Sequence, residues 1–346
     1  FSNELNNLGV RVGRLEDRVG NVKVTGDVRF LVRHSSKKNG RLVSAGGQYY
    51  KPTKYDVRGR LQFNAKVNDR TDVVARIQSY SMELGDAFSD YETETRLDRL
   101  YVNHKFGEHT SVKAGRFDQM LGNGLIYDDA FDGVQFNAGN DKVQFQAAYG
   151  YAVAGVFEGL NQKSNSTFTY AGVKGQLNKH VNLGGFFARR NAHKSSNDAL
   201  KNMYGFSTDM NFDKVWVGGE WVKASGVSHG SAWTAGLGYG NYDQAKKGSW
   251  DVKAQYFNFG QNLGAASSTW DIAYDTTNTA WMATPAGTIS AMNYQGFKGW
   301  LLTANYALQN NLGMTAYYGF NNKTNKATGD NEKLSNYYRL DLNYQF

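Results

Sequence analysis

The chain has 346 residues, with 2 prolines and no cysteine beside 39 glycines, 22 tyrosines and 20 phenylalanines. Hydrophobic content is only 40% and mean hydropathy −0.59, too polar for an ordinary soluble core of this length, and the lack of cysteine excludes a disulfide scaffold, a thiolate zinc site and a cysteine nucleophile. The net charge of +8 comes from Lys and Arg scattered singly, in no basic block or helix face, so nucleic acid is not expected as a partner.

Residues 1–21 read as a helical stalk. Phe1, Leu5, Leu8, Val12, Leu15, Val19 and Val22 recur at alternating spacings of four and three, the seam of a coiled coil. The alternative is one amphipathic helix packed on the body of the protein, and Gly9, Gly13 and Gly20 weaken any helix standing alone. Val at two a positions and Leu at two d positions lean towards two strands, so the seam does not settle the oligomer number. There is no initiator Met and no signal-peptide pattern, and the chain is expected to begin inside a longer mature protein.

From Val22 onward the period becomes two. Val22, Val24, Val28, Phe30 and Val32 alternate with Lys23, Thr25, Asp27 and Arg29. Tyr55, Val57, Leu61 and Phe63 alternate with Lys54, Asp56, Arg58, Arg60 and Gln62. About sixteen such segments follow one another: near 22–33, 54–67, 72–83, 95–106, 110–116, 131–138, 142–150 and 166–177, then 181–190, 202–212, 215–224, 232–242, 249–258, 296–308, 311–321 and 334–346. Most approach the roughly 9–11 residues with which a tilted strand crosses a bilayer, and no run approaches the roughly 18 apolar residues of a spanning helix. Their connections alternate between short turns and long loops, His34–Thr53, Tyr151–Asn165 and Phe259–Gln295 being the longest. An even number of strands with that alternation predicts an all-β, sixteen-stranded antiparallel transmembrane barrel over residues 22–346. Lipid on one face and a water-filled lumen on the other leave no dry core, and the low hydropathy follows. Tyr149 with Tyr151, Tyr317 with Tyr318, and Tyr337 with Tyr338 are expected in the aromatic girdles.

The stretch 117–132 leaves the strand pattern yet stays apolar, and Met120, Leu121, Leu125 and Ile126 would be misplaced on an exposed loop. A loop folded inward accounts for them and brings Asp118, Asp128, Asp129 and Asp132 towards the lumen. Asp128, Asp129 and Asp132 lack the regular spacing of a calcium loop, and no metal or cofactor is expected. By alternation Arg29, Arg33, Arg58, Arg60, Arg76, Arg99, Lys113 and Arg339 face the interior on the first five strands and the last, one contiguous basic wall once the barrel closes. Acid on the loop and base on the wall set a transverse field across the narrowest point.

Gly115-Arg116-Phe117, Phe131-Asp132-Gly133-Val134 and the terminal Tyr344-Gln345-Phe346 resemble the sixteen-stranded general porins. The resemblance covers about residues 22–346 and rests mostly on pattern. It implies an outer-membrane diffusion pore for ions and small hydrophilic solutes, a homotrimer in outer-membrane lipid, and Tyr344 and Phe346 as the assembly signal. A coiled-coil lead-in joined to the first strand is similar to the OmpM-type porins of diderm Firmicutes, whose S-layer homology domain tethers the barrel to peptidoglycan. That domain is absent from this chain, so tethering is implied by the family alone. Enzyme readings find little: His34, His104, His109, His180, His193 and His229 are scattered, and Gly236-Leu-Gly-Tyr-Gly240 has no helix after it. The alternatives are a sugar- or phosphate-selective channel and an outer-membrane barrel hydrolase.

Overall fold

The computed structural model describes residues 1–35, 42–43, 50–79, 82–85, 95–154, 167–191, 202–226, 228–263, 268–270, 296–334 and 336–346, with only the backbone for 14–19, 35, 42–43 and 50–51. A helix, α1 (Ser2–Val19), leads into the first strand. Leu5, Leu8 and Val12 are exposed on it rather than packed on the body, while the seam side chains of Leu15 and Val19 lie outside the described residues.

Sixteen long strands follow, and each of the alternating segments holds one. They are β1 (Val22–Ser35), β2 (Thr53–Asn68), β3 (Thr71–Ser79), β4 (Thr95–Lys105), β5 (Thr110–Met120), β6 (Asp128–Gly139), β7 (Val143–Ala152) and β8 (Thr167–Gln176). The second half comprises β9 (Val181–Asn191), β10 (Asn202–Phe212), β11 (Val215–Ser225), β12 (Ser231–Gly240), β13 (Trp250–Phe259), β14 (Phe297–Gln309), β15 (Leu312–Lys323) and β16 (Tyr337–Gln345). Every neighbouring pair is antiparallel, and β1 pairs with both β2 and β16, which closes the sheet and removes its edges. Phe346 completes the closure: its amide donates to Gly26 and its carbonyl accepts from Gly26, at 3.0 and 2.8 Å.

The register sorts side chains into two faces. Outside, Val215, Val217 and Trp221 on β11 stand opposite Tyr239, Leu237 and Trp233 on β12. Towards the long-loop end an aromatic row runs Trp233, Tyr256, Trp300 and Phe320, with successive ring centres 5.3, 5.2 and 6.4 Å apart. Towards the short-turn end Tyr239 meets Trp250 at 6.0 Å, and Tyr344 meets Phe30 at 6.4 Å. Two of the three expected girdle pairs divide, because adjacent residues on a strand point to opposite faces, while Tyr149 and Tyr151, two apart, share the outer one. Tyr318 and Tyr338 stack outside at 5.2 Å, whereas Tyr317 stands opposite Arg339 on the inner face and Tyr337 is buried.

The barrel also holds a dry core, contrary to the expectation of none. Phe117, Leu121, Leu125, Ile126, Tyr127 and Phe131 are buried against Phe168, Tyr170, Phe186, Met203, Val222, Phe257 and Phe259 on the inner faces of later strands. Each such side chain removed from water contributes roughly 1.5–3 kcal/mol. An inward segment lies against one wall, and the inner face of that wall is correspondingly apolar.

Candidate functional site

The expected inward loop is the tip of a hairpin, with strand pairing continuing into the stretch expected to leave the strand pattern. β5 and β6 stay paired well past the expected strand ends, through Phe117 opposite Phe131 and up to Met120 opposite Asp128. β4 lets go of β5 at Leu100 opposite Arg116, so everything beyond is free to bend off the wall. A row of glycines, Gly115, Gly133 and Gly150, crosses the three strands at that level. At Gly115 φ is +127°, and a Cβ there would lie 2.3 Å from the Leu100 carbonyl oxygen. Only glycine allows both the backbone turn and the close approach.

The hairpin tip, 121–127, reaches the opposite wall and is pinned there. Glu220 on β11 accepts the Asn123 and Leu125 amides at 2.5 and 2.9 Å, and the Asn123 side chain donates to Asp209 on β10 at 3.0 Å. From the long β13–β14 connection, the Thr269 amide and Ser268 hydroxyl donate to the Gly124 carbonyl at 2.9 and 3.1 Å. The Thr269 hydroxyl donates to Asp128 at 2.8 Å. Under the hairpin four amides close a ring: Gln135 donates to Gln119, Gln119 to Gln146, Gln146 to Asn137 and Asn137 back to Gln135, at 2.7–2.9 Å. Buried amides stay cheap only when paired in this way.

The eight basic residues named from alternation lie on the inner face by register. Arg29 stands opposite Arg58, Arg33 opposite Arg339, Arg76 opposite Arg99, and Lys113 opposite Gln135. Carboxylates interleave with them. Asp27 holds Arg60 at 2.9 Å and Arg58 at 3.5 Å, Asp98 holds Arg76 at 2.8 Å, and Asp341 holds Arg339 at 2.8 Å. Arg99 bridges from the wall to the hairpin, 2.7 Å from Asp118 and 3.2 Å from Asp129. Lys113 lies 5.3 Å from the Tyr101 ring centre. Asp27 and Asp341 share strand parity with the arginines and were legible on that ground. Asp98 joins them only through a register shift between β3 and β4, which no alternation rule shows.

Asp118 and Asp128 line the lumen beside the hairpin. Asp132 stands apart: it lies opposite Arg116 and Tyr151, on the face that carries Leu100 and Val102, and takes a two-point ion pair from Arg116 at 2.6 and 2.7 Å. Among the described residues the histidines do not converge, His104 bonding Thr71 and His180 the Asn211 carbonyl, each at 2.8 Å, and His193 lies outside those residues. Among the described residues no three His, Cys, Asp or Glu side chains group to hold a metal. Glu220 and Asp209, which pin the tip, escaped the sequence reading: an acid on an inner strand face was visible at each, but its partner was not.

No family model and no curated protein matches the sequence. Solved structures do match the architecture. A mutant of Rhodopseudomonas blastica porin superposes with a TM-score of 0.57 at 10% identity, over 94% of this chain and 100% of that one. The fold is a porin fold. A second mutant of that porin gives 0.56 at 11% identity over the same shares, and OccAB3 of Acinetobacter baumannii gives 0.52 at 11%, over 94% and 99%. This porin fold therefore spans nearly the whole chain, and in it the hairpin is the element that crosses the lumen.

Proposed function

We propose that the protein is an outer-membrane porin through which ions and small hydrophilic solutes diffuse passively. The observation that carries this reading is a closed sixteen-strand barrel with an apolar outside, a charged inner face and one pinned hairpin crossing its lumen. Hydrocarbon accepts strands only in such a closed sheet, and a barrel of this strand number leaves an aqueous passage. Asp118, Asp128 and Asp129 on the hairpin and the arginines of β1–β4 and β16 then border the constriction. Arg58, Arg60, Arg76, Arg99 and Arg339 each hold a carboxylate within 4.0 Å, so charge preference is mild. Guanidinium groups on long stems reach further into the lumen than Asp side chains, which gives a slight lean to anions at low salt. Stepwise ohmic conductance in a planar bilayer tests the reading, and silence from folded protein overturns it.

The working assembly in this reading is a homotrimer. The outward positions of β3, β4 and β5 carry Val73, Ala75, Ile77, Leu97, Leu100, Val102, Val112 and Ala114, with no Tyr or Trp among them, unlike β11–β16. That arc also carries Arg116, paired outside with Asp132, and a charge facing lipid near the midplane costs roughly 2–4 kcal/mol. Contact with a second copy suits such a face better than lipid does. The exposed seam of α1 leaves β1 on the same side of the barrel and would place three stalks on the axis. Native mass measurement in mild detergent should give three chains, and a clean monomer overturns this. Tyr344 and Phe346 serve as the assembly signal on the last strand. The likeness to OmpM-type porins extends the reading to a periplasmic stalk and a peptidoglycan tether outside this chain, which binding of the longer protein to purified sacculi would test.

A further inference from the structure

Between the hairpin tip and the inner faces of β10–β13 lies a cavity of about 190 Å³. Its floor is Trp216. Three glycines make room for that indole: a Cβ on Gly218, Gly236 or Gly238 would come within 2.2, 3.2 or 3.3 Å of the ring. The indole N–H donates to Asp209 at 3.1 Å, and the Lys253 ammonium stands 4.5 Å from the ring centre. Trp270, carried in by the β13–β14 connection, sets its ring edge-on to Phe257 at 5.8 Å and lines the other side. Gln255 also lines the cavity; it is 1% exposed, and its Oε1 has no hydrogen-bond partner. Among the described residues Lys253 makes no ion pair.

An orphaned buried acceptor is costly and marks a place where a donor is missing. The cavity asks for more than one kind of group. Asp209 and the Gln255 carbonyl accept, Lys253 donates, and the Trp270 indole offers a flat apolar surface. An inorganic anion would satisfy Lys253 and leave the Gln255 oxygen bare, and an apolar solute would leave both without a partner. Hydroxyl groups both donate and accept, and a sugar ring carries them around its edge with C–H faces above and below.

We infer that this cavity is a binding subsite for a single monosaccharide ring on its way through the lumen. The inference rests on the diffusion-pore reading for its place on a solute path, and adds to it a station of defined chemistry. Both inserted segments build that station: the hairpin supplies Asn123, which steadies Asp209, and the second supplies Trp270.

The test is single-channel recording in a planar bilayer with D-glucose added, beside titration of intrinsic tryptophan fluorescence by glucose in detergent. Glucose should cause saturable block and a saturable fluorescence change. Trp270→Ala and Gln255→Leu should each raise the half-saturating concentration about tenfold, the equivalent of about 1.4 kcal/mol. Trp270 sits on a connection rather than a strand, so its variant carries the test even where the Gln255 variant fails to fold. Block by glycine zwitterion and not by glucose overturns the sugar assignment. Block that persists unchanged in both variants overturns the site. A conducting pore with neither block nor fluorescence change overturns the subsite while the pore reading stands. Folded protein that binds glucose with these variant effects yet never conducts overturns the pore reading instead.

Discussion

The carboxylate of Glu220 on β11 accepts the backbone amides of Asn123 and Leu125, 97 and 95 positions earlier in the chain. One buried side chain thus closes the far end of a hairpin whose near end is anchored by strand pairing. A carboxylate suits two converging N–H donors, because both its oxygens accept and neither donates. Glu220→Gln presents an N–H₂ to one of those donors. Charged hydrogen bonds of this kind contribute roughly 1.5–3 kcal/mol, enough to release the tip while the barrel stays closed. Open-channel noise and mean conductance should both rise in the variant; traces indistinguishable from the parent would mean the Asp209, Thr269 and Ser268 contacts hold the tip without Glu220.

Charge preference tests the pairing of the wall. Arg76→Gln removes a cation and leaves the Asp98 carboxylate with only Arg99, at 3.7 Å, so permeability should move towards cations. Adding Asp98→Asn restores the balance and should bring the reversal potential back close to the parent value. The shift should fade above roughly 1 M salt, where the Debye length is about 3 Å. A double variant as shifted as the single one would show that Arg76 acts on permeating ions as a free charge.

The glycine row makes a contrasting pair of substitutions. Gly115→Ala places a Cβ 2.3 Å from the Leu100 carbonyl oxygen at φ +127°, and should cost more than the roughly 1–3 kcal/mol of a strained backbone position alone. Gly9→Ala on α1 meets nothing within 4 Å and should add about 1 kcal/mol of helix propensity. Heat-modified gel mobility reads the first as a fall in barrel melting temperature, and far-ultraviolet circular dichroism the second as a small helical gain. A Gly115 variant as heat-stable as the parent would contradict the bend at that position.

Tyr127 gives a pH dependence. Its phenol is 1% exposed and donates to the Ala130 carbonyl; burial, then the nearby Asp129 charge, pushes its pKa well above the ordinary value. Below about pH 10 both folded and unfolded phenols are protonated and contribute no slope. Above it the unfolded phenol loses its proton while the folded one keeps it, so stability falls as pH rises. Urea unfolding at pH 8 and pH 11 should show a larger loss for the parent than for Tyr127→Phe. Equal losses would remove Tyr127 from the account.

Much of the architecture was legible because a strand's face is a local property. Val22 to Val32 and Tyr55 to Val67 alternate whatever they pair with, so sixteen segments, their apolar side and the inward basic residues could be read along the chain. Leu121, Leu125 and Ile126 announced an inward segment for the same reason, since apolar residues need cover wherever they stand. What alternation cannot state is which residues meet across strands, because one register shift changes every partner.

That register decided the rest. It set Asp27 between Arg58 and Arg60, brought Asp98 to Arg76, closed the ring of four amides, and put Asp132 outside with Arg116 while Asp118 and Asp128 stayed with the lumen. By itself the sequence determined the period, the strand number and the side on which the regularly alternating wall bases stand, but not the side of Asp98 or Asp132. Only the closed barrel, by fixing which distant strands lie side by side and where the hairpin lands, decided which charges are neutralised and which groups converge on one cavity.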